Sequence, residues 1–381
     1  MPERSYLDHA ATSPLVAAAR SAMLTELDRV GNASSLHTSG RAARQAVEEA
    51  RESLASAVGC HPTEVLWTSG GTEADNLFLT GAWQARRGER NRVICSSVEH
   101  PAVGETHAAL AARGADAVRW TVDEQGLADL DALDALLEVP TAGVSLMWAN
   151  NETGVVQPVA AMAERSRTAG AWSHADGVQA LGHLPVDFAA SGLDALSLSA
   201  HKVGGPIGVG ALILRRGVGL SPIGYGGGQE RDLRSGTLAP ALVAGFAAAA
   251  TVAVQSREAE AVRLGELRDR IEQVVAGIEG TRVNGAGVER TPAIVNVTFA
   301  DVRADDLLLL LDAADIDAST GSACTAGVSQ PSEVLLAMGR SGAEASGSLR
   351  FSLGHSTTSV DIDRLAAVLP DAVARARTAF A

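Results

Sequence analysis

From Val65 onward the sequence repeats one unit: a short apolar run, a polar turn, then a helical stretch. Val65-Leu66-Trp67-Thr68 reads as a strand, Ser69-Gly70-Gly71-Thr72 as a turn, and Glu73 to Arg86 as a helix. Arg92 to Ser96 is a strand leading to Glu99-His100-Pro101, with a helix from Val103, and Val144 to Trp148 leads to Asn150-Asn151-Glu152. Ala171 to His174 runs into Asp176. Leu193 to Leu198 alternates as a half-buried strand does and closes on Ser199-Ala200-His201-Lys202. Strands that alternate with helices in this way imply a parallel sheet covered by helices. In an open α/β sheet, ligands bind beyond the carboxyl ends of the strands. Thr72, His100, Asn151, Asp176 and Lys202 each follow a strand closely, and five reactive residue types at five such ends point to one site.

A lysine at a strand end in so apolar a chain is either a solvated edge residue or a buried amine with a task. Asp176 favours the second reading. A lysine that bonds an aldehyde, plus an aspartate for a pyridinium nitrogen, is what pyridoxal 5'-phosphate (PLP) requires. Gly204, Gly205, Pro206 and Gly208 follow Lys202 and permit tight turns and close backbone approach. The Ser69–Thr72 junction offers an anion free N–H groups and the helix dipole, with the Thr72 hydroxyl beside them; an ordinary capped turn is the alternative. Ser199 and His201 tilt that choice toward phosphate. His100 is a ring-stacking or proton-shuttling residue, or a hydrogen-bonded structural one, and Asn150-Asn151-Glu152 also suits a turn. Gln179 lies within reach of any ligand that meets Asp176. Arg350, a charge inside Leu349-Arg350-Phe351, needs a partner, and a substrate carboxylate fits its fork. Cys324 lies among small, polar residues from Ser319 to Gly327 and reads as a mobile thiol, whereas Cys60 and Cys95 read as structural.

Around this unit, Tyr6 to Pro14 is an extended opening. A helix follows from about Val16 to Val30, then a turn over Gly31 to His37 and a helix over Gly40 to Val58. Gly226 to Thr237 is a polar, glycine-rich loop, and the helical region from Ala239 to about Ile278 marks a domain boundary. Ile294–Phe299, Asp305–Leu311, Ile316–Ser319 and Leu349–Leu353 suggest a smaller α/β domain, in keeping with a chain of 381 residues. The net charge of −14 and the lack of a basic run exclude nucleic acid as a partner. Ala239 to Val254, the most apolar long run, is alanine-rich and followed by Arg257, Glu258 and Glu260, so no membrane span is expected. The N-terminus has no apolar signal core, and the three cysteines form neither a CxxC pair nor a zinc spacing, so no metal site is expected and the cytoplasm is.

These motifs together resemble the cysteine desulfurases, class V aminotransferases of the fold-type I PLP enzymes, and within them the iron–sulfur-cluster branch, group I. The resemblance runs from Tyr6-Leu7-Asp8 to about Gly354. It is carried by Ser69–Asn76, Glu99-His100, Asn150-Asn151-Glu152, Ser199–Lys202, Arg234–Thr237 and Gly321-Ser322-Ala323-Cys324-Thr325. It implies a large domain over 14–257 with a mainly parallel seven-stranded sheet, and a smaller α/β domain over 1–13 and 258–381 carrying the Cys324 loop. It implies that Lys202 anchors PLP, Asp176 meets the pyridinium nitrogen, Gln179 the ring hydroxyl, and His100 stacks on the ring. Gly71, Thr72, Ser199 and His201 would hold the phosphate, with Thr237 reaching in from a second subunit. Asn32, Asn151 and Arg350 would bind L-cysteine, and Cys324 would accept its sulfur. A homodimer and a sulfur-acceptor protein are the implied partners. The alternatives are a class V aminotransferase, a selenocysteine lyase, or a non-catalytic PLP-binding sulfur-transfer scaffold. Two departures stand out: the family's Gly-Asn-Pro is Gly31-Asn32-Ala33, and well-known bacterial members carry a longer scaffold-docking tail than the one ending here at Ala381.

Overall fold

The computed structural model describes residues 4–321 and 330–380. Its strands in chain order are β1 (Ser5–Tyr6), β2 (Val65–Thr68), β3 (Arg92–Ser96), β4 (Asp116–Trp120), β5 (Thr141–Ser145) and β6 (Trp172–Asp176). Then come β7 (Ala195–Ser199), β8 (Gly210–Leu214), β9 (Thr281–Val283), β10 (Ile294–Phe299), β11 (Ile316–Asp317) and β12 (Ser348–Ser352). β2 to β8 form the expected seven-stranded sheet, in the order β2-β8-β7-β6-β5-β3-β4. It is parallel except for β8, which runs antiparallel to both neighbours.

Apolar side chains leave this sheet on both faces. Trp67 and Ile213 join one cluster with Leu196 and Phe246, while Leu66 and Leu212 join another with Phe78 and Trp83. β7 is therefore buried along its whole length, not half-buried as its alternation predicts. Its serines lie inside the protein: Ser197 bonds His174, and Ser199 lines the cavity beside Gly71. β4 and β8 were not legible from the sequence pattern. β4 is an edge strand whose Asp116 and Arg119 are exposed, so charges dilute its apolar signal. β5 lies upstream of the predicted Val144–Trp148. The Met147 N–H is taken by the Glu99 carboxyl instead of by β3, which ends the pairing on that side, while the Leu146 and Trp148 N–H groups still bond to β6.

The second core surrounds an antiparallel sheet, β12-β10-β9, whose Val295, Val297, Leu349 and Phe351 pack against Leu307, Leu365 and Leu369. The helix Pro240–Ala276 links the two: Val243 and Phe246 enter the first core, Leu264 and Ile271 the second. The N-terminal segment does the same. β1 pairs with β11, and beyond it Ser13 N–H donates to the His201 carbonyl at 2.9 Å.

The β2 edge of the large sheet is closed by a buried ion pair. Arg51 donates two-pronged to Glu230, at 2.9 and 2.8 Å, and also to the Val65 carbonyl, while Glu230 accepts from the Trp67 N–H at 2.8 Å. Together they satisfy the outer polar groups of β2. Glu230→Ala leaves the buried Arg51 with only the half-exposed Glu48, at 3.1 Å, as a charged partner, and strips the Trp67 N–H of its acceptor; it is expected to cost about 3 kcal/mol in urea unfolding. A loss below about 1 kcal/mol would show that water reaches Arg51 and that the pair does not seal the edge.

Candidate active site

The carboxyl ends of β2, β3, β5, β6 and β7 open on one cavity of about 400 Å3, a size suited to a small ligand. The large sheet delivers Thr72, His100, Asn151, Asp176 and Lys202 to its wall, so the five strand-end residues do converge. Gly71, Gln179, Ser199 and His201 line it too, and Arg350 enters from β12 of the second core. Ala10 and Ala11 of the N-terminal segment cover the lysine: Lys202 Nζ donates to their carbonyl oxygens at 2.6 and 2.7 Å, and Gln179 Nε2 donates to Ala10 at 2.9 Å.

Burial, helped by the Arg350 charge, lowers the Lys202 pKa from its ordinary value to about 8, against the pull of Asp176 and Asp8. The amine thus has a substantial neutral fraction near physiological pH. Asp176 is buried, which raises its pKa, while His100, the Val178 N–H at 2.9 Å and Lys202 stabilise its charged form. His100 caps the helix Pro101–Ala112 by accepting from the Ala102 N–H at Nδ1, which leaves Nε2 to carry the proton of the neutral ring. Burial lowers its pKa, as it lowers that of His201 to about 4, so both rings are neutral at pH 7.

The helix Gly71–Arg86 starts at the cavity wall, so its first N–H groups, which lack intrahelical acceptors, are available to an anion. Gly71 is constrained here. A Cβ on it would lie 2.8 Å from a Val178 methyl. At the opposite wall Arg350 donates to the Asn151 carbonyl oxygen at 2.8 Å and pairs with Asp8 at 2.7 Å. Arg350 Nε and Asn151 Oδ1 are both buried without a hydrogen-bond partner, two polar atoms next to an open volume.

Two expected residues lie elsewhere. Asn32 is exposed, and its side chain is spent on a local turn, accepting from the Ser34 N–H at 2.9 Å. Thr237 is exposed on the Gly226–Thr237 loop and does not reach the cavity of its own chain. Cys324 lies outside the described residues. Cys60 and Cys95 are free thiols whose pKa values burial pushes up, Cys60 to about 12, so neither supplies a thiolate at neutral pH. The sequence reading assigned no site role to Asp8, Asp75 or Glu152, which line or support the cavity. Asp75 carried one signal: four residues after Gly71 and four before Leu79, it shares their buried helix face.

Comparisons follow the same lines. The class-V aminotransferase family model matches residues 5–365. The chain is 49% identical to the IscS-like cysteine desulfurase of Mycobacterium tuberculosis, with 98% of each protein covered. Among solved structures, a NifS-like protein superimposes with a TM-score of 0.91 at 30% identity, covering 98% of this chain and all 100% of that one. A second, described as SspA in complex with cysteine, gives a TM-score of 0.81 at 32% identity, covering 91% and 98%.

The Lys202 environment makes a prediction about reactivity. The rate at which the cofactor-free protein bonds a simple aromatic aldehyde at Lys202 should rise with pH and level off just above pH 8, because the neutral amine is the nucleophile. A rate still climbing beyond pH 10, the behaviour of a free lysine, would mean that the amine is solvated.

Proposed function

The chain belongs to the class-V aminotransferase family, and we propose that it is a PLP-dependent cysteine desulfurase. It converts L-cysteine to L-alanine and passes the sulfur, as a persulfide on Cys324, to iron–sulfur clusters or other acceptors. The observation that carries this reading is the meeting of a buried lysine, a buried aspartate and a substrate-ready arginine in one cavity.

The residues present fit PLP. A reactive amine, a carboxylate for a ring nitrogen, a helix start free of side chain at Gly71 and unpartnered polar atoms at Asn151 and Arg350 match the parts of the cofactor and its substrate. Lys202 Nζ would anchor the aldehyde, and Asp176 would face the ring nitrogen with Gln179 at the ring hydroxyl and His100 against the ring. Gly71, Thr72, Ser199 and His201 would hold the phosphate, His201 as a neutral hydrogen-bonding group. When bound, PLP supplies an electron sink for the carbanion left when the substrate Cα loses its proton.

The chain's own groups do the rest. Arg350 and Asn151 orient the L-cysteine carboxylate, which aims the Cα–H bond at Lys202. The freed Lys202 Nζ, neutral above about pH 8, accepts the Cα proton and later returns one as alanine forms. Asp176 keeps its negative charge under the cofactor nitrogen. The Cys324 thiolate would attack the substrate sulfur; the carbon–sulfur bond breaks, its electron pair stays with the carbon fragment, Cβ takes up a proton to become the alanine methyl, and the persulfide stays on Cys324. His100 is neutral in the free cavity, so it serves as hydrogen-bond donor or proton acceptor rather than as a standing positive charge for that thiolate.

The working unit in this reading is a homodimer. Leu24, Leu27, Val30, Leu36, Ile207 and Tyr225 are large apolar side chains left exposed, Val30 and Tyr225 at 85%, and a second copy is the partner that would cover them. Thr237, exposed on its loop, would then complete the neighbour's phosphate site. No helix among the described residues is long and apolar enough to cross a membrane, and we place the enzyme in the cytoplasm with a sulfur-acceptor protein as partner.

Native mass spectrometry tests the whole scheme. After L-cysteine without reductant, the wild type should appear as a dimer carrying one extra sulfur per chain, with alanine released. Cys324→Ala should dimerise, bind PLP and gain none. If Cys324→Ala still gains the sulfur, another thiol is the acceptor; a monomer that turns over would overturn the shared phosphate site.

A further inference from the structure

The cavity floor holds a second aspartate that the reaction above does not use. Asp75 sits in the helix Gly71–Arg86, is 1% exposed, and contributes to the cavity wall; its Oδ1 is buried without a hydrogen-bond partner. Its polar neighbours are Ser197, whose hydroxyl bonds the carboxyl, and His174, whose Nε2 lies 3.6 Å from Oδ1. His174 is no counter-ion. Its ring stacks on Phe78 with centroids 4.7 Å apart, its nitrogens meet the hydroxyls of Ser145 at 2.9 Å and Ser197 at 2.8 Å, and burial lowers its pKa to about 3.

The remaining titratable groups facing Asp75 are Asp176 on β6, Glu99 and His100 after β3, and Lys202 after β7. Single polar atoms of Asp75, His100 and Asp176 lie within 4.8 Å of one another. Lys202 is the cation that acts on Asp176, and the His100 ring lies beside that carboxyl as well. The groups acting on Asp75 are instead two carboxyls, Asp176 and Glu99, and they add to burial in pushing its pKa well up. Glu99 is raised to about 8 in the same way, mainly by burial, despite accepting from Ser96 and Met147. Neighbouring carboxyls in a dry site do not ionise together, and the proton stays on the one that lacks a cation.

We propose that Asp75 is a positioning residue for the cofactor nitrogen: a carboxylic acid that keeps its proton beside Asp176, so that the negative charge of the floor is confined to Asp176. The identity of what faces Asp176 rests on the proposed function; the proton on Asp75 is a property of the protein without cofactor. Ser197 and His174 give that acid polar neighbours on the inner side, and the helix that carries it also presents Gly71 and Thr72 to the cavity. The groups that would meet the phosphate and the floor beside the ring nitrogen are thereby carried on one helix.

Two measurements test this. The first is the infrared spectrum of the cofactor-free protein at neutral pH, with its aspartate carboxyls labelled with carbon-13. It should contain the carbonyl stretch of a buried protonated aspartic acid, and Asp75→Asn should remove it. No such band in the wild type, or a band that survives in Asp75→Asn, overturns the proposal; Asp75→Ser serves the same comparison if the asparagine variant does not fold. The second is PLP affinity across a double-mutant cycle with Asp176→Asn. In the wild-type background Asp75→Asn should weaken binding by about twofold at most. In the Asp176→Asn background, where Asp75 is the carboxyl left to take up the charge, the loss should be roughly fivefold or more. Equal losses in both backgrounds would mark Asp75 as merely structural. A wild type that binds no PLP but shows the band would sink the proposed function and leave the protonated acid standing.

Discussion

Everything in this protein's site depends on keeping one amine and one carboxylate out of water while they face the same cavity. Lys202 gives up part of its charge: a fall from 10.5 to about 8 is roughly 3 kcal/mol set against the cation. Burial pushes Asp176 toward the neutral acid, and Lys202, the Val178 N–H at 2.9 Å and the neighbouring His100 act against that push. Neither condition survives at a surface. The parallel sheet meets both, since its strands are buried on both faces yet end together at one rim. A reactive side chain placed at the end of a strand, or within six residues past it, is dry behind and open in front.

The second core matters because the rim alone is half a site. Arg350 comes from β12, and the chain that covers Lys202, Ala10 and Ala11, leads out of β1, which pairs with β11. Asp8 joins the two contributions by pairing with Arg350 at the start of that cover. Any shift of the second core on the helix Pro240–Ala276 therefore changes the distance between the arginine that would hold the substrate carboxylate and the lysine that would take its proton. Binding geometry and proton transfer are linked through packing, without a direct contact.

Much of this was legible in the sequence because chain order and chemistry coincide at strand ends. β2, β3 and β10 stand where their apolar runs predict them, and Thr72, His100, Asn151, Asp176 and Lys202 share the cavity their spacing implied. What was not legible depends on faces and edges. The alternation in β7 looks solvent-facing but is a row of internal hydroxyls, because Ser197 answers a buried histidine. β4 hides behind its edge charges. Asp75 reads as an ordinary polar residue near a helix start, and only the packing of that helix against β6 and β7 shows that it is buried at the cavity wall. Asn32 and Thr237 illustrate the reverse: residues whose motif is plain but whose place cannot be read from one chain.

The central claim is that the buried Asp176 carboxylate would hold a proton on the nitrogen of a bound cofactor. Nitrogen NMR of the protein loaded with PLP carrying nitrogen-15 in its ring reads that proton directly. The account predicts a protonated ring nitrogen from mildly acidic to mildly alkaline pH in the wild type, and an unprotonated one at neutral pH in Asp176→Asn. A ring nitrogen that is unprotonated at neutral pH in the wild type, or unchanged by Asp176→Asn, would contradict it.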